Sequence, residues 1–487
     1  MTSRTPFFKE FGPLLFGRRS GSQVKKIKQL DSMEDLYAIF GELLPERMIY
    51  SAKPDVKRRV RSLPAEVTFW AFVSQALSPR SSCREVVRKI EAWQRWQDLR
   101  LRGVTPSAYC QARRKLDLDT LLMIRRHLSL QLERNVLEEE KWLKKRTVKI
   151  VDGTTFSMPD TIENQAVWPQ PSSQKPGCGF PIIKMVGLFS LASGALLEEA
   201  TGDQHIHETR LFEQMWGRLE KGDVILEDRG FNSYASMALL GKRGIDTVAR
   251  LHQGRKIDPL DGKTLGPGDR LVTWKKPQRR DDRSKESWDA LADQLTVRLI
   301  EIHIEVPGFR TRSITLVTTL TDPEAYPADT IRALYGKRWM VELHFAQIKT
   351  ILNLDILKCL SPEMIVRELQ IHLIAYNLVR ALMQQAAHNY FVELNRISFK
   401  GSLDTVRHWS QVIRASAGKP RKQRELVAKL LYVIACDSVP ERPDRSEPRA
   451  KKRRPKNFQI LTKPRDEMGN LPHRNRPGKK SPKPALT

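Results

Sequence analysis

At 487 residues the chain is too long for one core, given roughly 100 to 200 residues per domain, and its 40% hydrophobic share excludes wholesale disorder. Lysine and arginine number 84 against 56 acidic residues, and the formal charge of +28 is more than solubility needs. A polyanion is the expected partner. Neutralising phosphates releases condensed counterions, which favours nucleic acid over an inert basic surface.

A membrane partner is not expected, because no segment approaches the ~20 continuous apolar residues of a span. Phe11 to Phe16 runs straight into Arg18 and Arg19, without the h-region and cleavage site of a signal peptide, so a cytoplasmic protein is expected. Cys83, Cys110, Cys178, Cys359 and Cys436 are scattered and form no CxxC pair. They point to buried free thiols rather than a disulfide framework or a zinc site.

In chain order, a basic leader (1–30) precedes apolar residues at helical spacing from Met33 to Leu44, and Pro64 opens a second helix reaching Leu77. Ser82 and Glu85 form a capping box before a run through Ile90, Trp93 and Trp96. Thr105 with Pro106 starts a helix carrying Tyr109, Arg113, Arg114 and Lys115. Asp117 or Asp119 caps a longer one reaching about Trp142. Residues 31–145 thus read as an all-helical basic domain.

At Arg146 the period becomes extended. Strands are predicted at Val148 to Phe156, Ile182 to Ala192, Ala195 to Ala200, Asp223 to Glu227 and Thr247 to Leu251, with helices at His207 to Leu219 and Ser233 to Lys242. This order predicts a mixed α/β sheet. Residues 252–312 read as a β-rich insertion, with extended runs at Leu271 to Trp274 and Thr296 to Val306 around the charged stretch Lys275 to Lys285. Helical spacing returns from Pro327 to about Leu352 and from Ser361 to Tyr390, then in weaker helices to about Cys436, which fall in 391–440. The segment 441–487, with KKRRPK at Lys451 to Lys456, is too rich in Pro, Lys and Arg to fold and reads as a disordered basic tail.

Asp152 follows the apolar run Val148 to Val151, and Asp228 follows Val224 to Leu226. An acid at a strand end is costly unless it faces a cleft, and two on adjacent strands would make an oxygen site suited to Mg²⁺. Taken alone, each is better read as a strand-ending turn or helix-cap aspartate. In the helix after Pro327, Tyr335, Arg338, Glu342 and Lys349 fall within roughly a 60° stripe at ~100° per residue. A solvated salt-bridge face would look similar, although Arg four residues before Glu is the poorer orientation for one. His205 and His207 form an HxH with no third ligand, so a loop or cap role is favoured over metal. Lys175 to Gly179 lacks P-loop spacing, so ATP is not implied.

The run YGKRWMVELHFAQIK at Tyr335 to Lys349 fits YxxRxxxExxxxxxK and resembles the signature of the insertion-sequence "four" family of bacterial DDE transposases. VDGTTF around Asp152 and EDRGF around Asp228 are similar to the family's two aspartate motifs, and SAYCQARRKL at Ser107 to Leu116 to an N-terminal helical one. The β-rich segment between Asp228 and Glu342 also resembles that family, and the likeness spans about residues 60–390.

The resemblance implies an RNase H-like catalytic domain (146–390), with Asp152, Asp228 and Glu342 as catalytic and metal-binding acids holding two Mg²⁺ ions, replaceable by Mn²⁺. It also implies phosphate contacts from Tyr335, Arg338 and Lys349. DNA contacts are expected further from Arg113, Arg114 and Lys115, and from Trp274 or Trp288 as a base-flipping tryptophan. The expected function is DNA transposition at the ends of an insertion sequence, in the nucleoid, with double-stranded DNA as partner and a homodimer in the DNA complex. A catalytically silent DNA-binding derivative and a nuclease that cuts without joining are the alternatives.

Overall fold

The computed structural model describes residues 63–78, 81–96, 104–255, 262–279, 284–303 and 313–440 except 415, 417 and 418, with parts of 36–49 and 461–467. The basic leader, most of the helix predicted from Met33 and nearly all of the basic tail lie outside the described residues.

The N-terminal half is helical: α1 (Glu46–Ile49), α2 (Ala65–Leu77), α3 (Cys83–Trp96), α4 (Pro106–Arg114) and α5 (Leu118–Arg134). The caps follow the sequence. Ser82 Oγ accepts from Glu85 N at 3.2 Å, Thr105 Oγ1 from Ala108 N at 3.1 Å and Asp117 Oδ2 from Thr120 N at 3.0 Å. α2 buries Phe69, Trp70, Phe72 and Val73, each fully buried aromatic or aliphatic side chain contributing about 1.5–3 kcal/mol. α5 stops at Arg134 rather than near Trp142. Glu138, Glu139 and Glu140 would otherwise set three negative charges against the partial negative charge of a helix C-terminus; they form a 3-10 turn instead.

Among the described residues nine strands form one sheet in the order β3-β2-β1-β4-β5-β9-β8-β7-β6. The first five are β1 (Val148–Ser157), β2 (Ile182–Ser190), β3 (Leu196–Gly202), β4 (Val224–Glu227) and β5 (Asp246–Arg250). β1 and β2, and β2 and β3, pair antiparallel, whereas β1, β4 and β5 run parallel. Three antiparallel strands followed by two parallel ones on the far side of β1 is the RNase H-like arrangement. α7 (Glu208–Gln214) leads from β3 to β4 and α8 (Tyr234–Lys242) joins the parallel β4 and β5, with α6 (Ile162–Val167) between β1 and β2.

The β-rich insertion is not a separate sheet. β6 (Lys263–Gly266), β7 (Asp269–Lys275) and β8 (Gln294–His303) continue the main sheet through β9 (Ser313–Thr318), which pairs antiparallel with β5. β9 was absent from the sequence-based expectation, although Ile314, Leu316 and Val317 carry the apolar signal. A short α9 (Lys285–Asp289) lies between β7 and β8.

The helical run after Pro327 is broken rather than continuous: α10 (Ala328–Gly336), a 3-10 turn (Lys337–Trp339), α11 (Met340–Ala346) and a π turn (Gln347–Ile351). α12 (Pro362–Tyr390) runs 29 residues through the core and carries buried Leu373, Tyr376, Leu378 and Leu382; α13 (Phe399–Arg414) and α14 (Pro420–Cys436) pack on it. Among the described residues no helix is long and apolar enough to cross a membrane. The thiols correct one expectation: Cys178 and Cys359 are buried, but Cys110 and Cys436 are exposed.

Candidate active site

The sheet register brings the two aspartates together. In the parallel β1–β4 pair Val151 lies opposite Glu227, so Asp152, within β1, and Asp228, just past the end of β4, are the next residues of the two neighbouring segments. Long sequence separation collapses to one inter-strand spacing, about 4.8 Å between backbones. Asp152 Oδ1 accepts a hydrogen bond from Gly153 N at 2.8 Å.

Glu342 reaches the same place through Arg338. The Arg338 guanidinium lies 3.6 Å from Asp152 Oδ2 and 3.5 Å from Glu342 Oε1, bridging the strand and the helix. Burial pushes the Asp152 carboxyl up to about 6; the charges of Asp228 and Glu208 push the same way, while Gly153 N–H and Arg338 oppose them. One guanidinium among these carboxylates leaves the site short of positive charge. Among the described residues no three Asp, Glu, His or Cys side chains lie close enough to hold an ion jointly. The Arg338 side chain stands between Asp152 and Glu342 and is the cation that links these two acids. Carboxylate oxygens are the donor type that a hard divalent ion takes.

The rest of the stripe lies on the same side. Tyr335 is buried and its phenol is pushed up to about 12, chiefly by burial, with Asp228 adding to the rise and Arg338 opposing it. Lys349 Nζ lies 2.8 Å from Thr155 O, 3.3 Å from Thr154 Oγ1 and 3.3 Å from Asp355 Oδ1, fastening the helix to β1 just past Asp152. A uniform α-helix is not what aligns these residues. The 3-10 turn before Glu342 overwinds the chain and the π turn holding Lys349 underwinds it, and such π turns gather at functional sites.

Other expected DNA contacts fare differently. Arg113 is buried, its guanidinium 4.7 Å from the Phe72 ring centroid and its Nη2 3.3 Å from Cys110 Sγ, so it is a packing residue and not a phosphate contact. Arg114 and Lys115 are exposed, Arg114 with Glu363 at 3.2 Å. Trp288 is buried against Tyr234, Ala235 and Ala238, which removes it as a base-flipping residue in this conformation. Trp274 is half-buried beneath Arg255, whose guanidinium lies 3.6 Å from its ring centroid. His207 caps α7 through Nδ1, and His205 lies in an exposed loop. A cavity of about 370 Å³ sits beside the opposite end of β1, lined in part by Lys149 and Asp223, away from these acids.

An RNase H-like sheet with an acid on β1, a second just after β4 and a third on a helix beyond the sheet defines the class of DDE nucleic-acid enzymes. Comparison with known proteins narrows the class. The family described as "Transposase DDE domain" matches residues 143–378, and "Insertion element 4 transposase N-terminal" matches residues 38–124. The chain is 28% identical over 451 residues to the transposase InsG for insertion sequence element IS4 of Escherichia coli (strain K12), covering 89% of this chain and 96% of that protein. A cryo-EM structure of a piggyBac transposase synaptic complex with hairpin DNA aligns with a TM-score of 0.38 and 11% identity, over 91% of this chain and 87% of that one. Together these matches support an IS4-family DDE transposase, and the chain is a DNA transposase.

Proposed function

We propose that Asp152, Asp228 and Glu342 are the catalytic carboxylates of this transposase and hold two Mg²⁺ ions, with Mn²⁺ as a substitute, at the ends of an insertion sequence. The observation behind this reading is the bridge from Asp152 through Arg338 to Glu342, at the point where the β1–β4 register sets Asp228 beside Asp152. When bound, such ions activate a water or 3′-hydroxyl and steady the leaving oxygen of an in-line displacement.

The chain's own residues do the rest. The carboxylates fix the reacting site on a rigid sheet edge. Arg338, neutralising Asp152 and Glu342 in the free protein, turns its guanidinium to phosphate oxygens when DNA is seated, and Lys349 and Tyr335 hold the flanking backbone. Replacing Arg338 with Ala is expected to slow end cleavage about 100-fold, near 2.7 kcal/mol at the barrier. Lys349→Ala should act in the same direction. Normal cleavage and joining rates in both would reduce the stripe to a structural salt-bridge face.

The helical segment 31–145 would read the ends, with Arg114 and Lys115 exposed for phosphate, as a homodimer on nucleoid DNA. The segment 441–487 would add sequence-independent affinity. Deleting it is expected to reduce the salt dependence of binding by roughly 0.9 in the log–log slope for each phosphate the tail neutralises. An unchanged slope would remove the tail from the interface. Labelled DNA ends incubated with the full chain and Mg²⁺ test the whole reading: joined products support transposition, cleavage without joining indicates a nuclease, and binding alone indicates a silent derivative.

A further inference from the structure

Two thiols 27 positions apart in the chain meet between helices of the N-terminal half. Cys83 is the first residue of α3 and Cys110 lies within α4, and their sulfurs are 3.8 Å apart, at van der Waals contact. Cys110 is exposed and Cys83 half-buried. Gln75 on α2 holds both helices: its Nε2 lies 3.8 Å from Cys83 Sγ, and its Oε1 accepts from the Tyr109 hydroxyl at 3.1 Å. The sulfurs also share a cation. Arg113 is buried, its guanidinium 4.7 Å from the Phe72 ring centroid and 5.0 Å from that of Tyr109, and its Nη2 donates to Cys110 Sγ at 3.3 Å. Among the described residues it forms no ion pair with a carboxylate, and the titratable groups around it are Tyr109, Cys83, Cys359 and Cys110. A guanidinium fixed against a sulfur favours the reactive thiolate. Burial pushes the Cys83 thiol up, against the pull of Arg113, so exposed Cys110 is the sulfur that an oxidant reaches first.

We propose that Cys83 and Cys110 form a redox-sensitive dithiol, closed to a disulfide by hydrogen peroxide and reopened by a small thiol. The Cys110 sulfur attacks one peroxide oxygen and the O–O bond breaks, leaving a sulfenic acid on Cys110 and releasing the other oxygen as water. The Cys83 sulfur then attacks the Cys110 sulfur, and the S–OH oxygen leaves as a second water. Both thiol protons end in the waters, both sulfurs are oxidised and both peroxide oxygens are reduced. Closure brings the sulfurs from contact to about 2.05 Å, which draws α4 toward the start of α3. α4 carries exposed Arg114, with exposed Lys115 just after it, so the bond bears on the segment proposed to read DNA ends. That consequence rests on the DNA-reading role of residues 31–145; the bond itself does not.

The experiment treats the full chain with hydrogen peroxide, counts free thiols and maps linked peptides by mass spectrometry, for the parent, Cys83→Ser, Cys110→Ser and the double variant. In the parent, the Cys83 and Cys110 thiols are expected to disappear together, their peptides joined, and to return with dithiothreitol. Cys83→Ser should form no such link and leave Cys110 to pass on to sulfinic acid. A parent that keeps all five thiols, or that joins another pair such as Cys83 with Cys359, would overturn the assignment. Gel shifts on element ends read the consequence. The disulfide form is expected to bind about tenfold more weakly, as phosphate contacts beside α4 shift, and to recover with dithiothreitol, whereas peroxide leaves the double variant unchanged. Unchanged binding by the disulfide form would separate the bond from DNA reading. Absence of end binding by the reduced parent would instead remove the role of residues 31–145.

Discussion

Replacing Asp152 with Asn is expected to lower end cleavage at least about 1,000-fold, about 4 kcal/mol at the barrier, while binding to element ends stays equal or tightens. The size follows from position. Asp152 lies at the meeting point of β1, Arg338 and the Asp228 neighbourhood, and its carboxylate is half-buried there. Asparagine keeps the shape and the bond to Gly153 N but removes the charge that a cation needs. The sign on DNA binding is opposite, because one fewer anion beside phosphates reduces repulsion. Asp228→Asn and Glu342→Gln should show the same split, as should the parent enzyme without divalent metal. Rates of cleavage and joining on labelled ends, measured beside a gel-shift isotherm, check it. Activity surviving in any one variant would remove that residue from the catalytic set, and a parallel loss of end binding would show misfolding instead.

The pattern legible in the sequence was one of short-range chemistry. Strand-ending acids, caps such as Ser82, Thr105 and Asp117, and the Tyr335-to-Lys349 spacing each depend on neighbours within a few turns. What stayed hidden depends on packing. Nothing local says that Val151 pairs with Glu227, yet that register is what joins Asp152 to Asp228. Arg113 and Arg114 are adjacent cations in one helix, but the 100° turn between them sends one under Phe72 and the other to solvent. Trp288 was a candidate base-flipping residue through the family resemblance, and the short helix around it turns its ring into the core. Glu208 follows the HxH in sequence, yet its carboxylate fills the space beside Gly153, 55 positions away in the chain. The only local trace of that proximity is the glycine after Asp152, which a turn would explain equally well.

Replacing Arg125 with Ala is expected to destabilise the fold by about 3–5 kcal/mol, because it strands two buried carboxylates. Arg125 is fully buried on α5. Its Nη2 meets Glu198 Oε1, its Nη1 lies 2.7 Å from Glu199 Oε2, and its Nε donates to Gln370 Oε1 at 3.0 Å. One guanidinium therefore ties the N-terminal helices to β3 and to α12. A buried pair adds little over a well-packed apolar alternative, but removing one partner leaves charge without solvent. Glu199 is already pushed up by burial, and without Arg125 it rises further. A carboxyl whose folded pKa exceeds its unfolded one is stable below the unfolded value and loses that stability as pH rises. The deficit of Arg125→Ala should therefore shrink toward acid pH and grow above it. Glu198→Gln with Glu199→Gln in the same background should recover part of the loss, a coupling a double-mutant cycle reads directly. Denaturant midpoints at several pH values test this. A loss below about 1 kcal/mol, independent of pH, would mean that water or Arg126, whose Nε lies 3.2 Å from Glu198 Oε2, already neutralises the carboxylates.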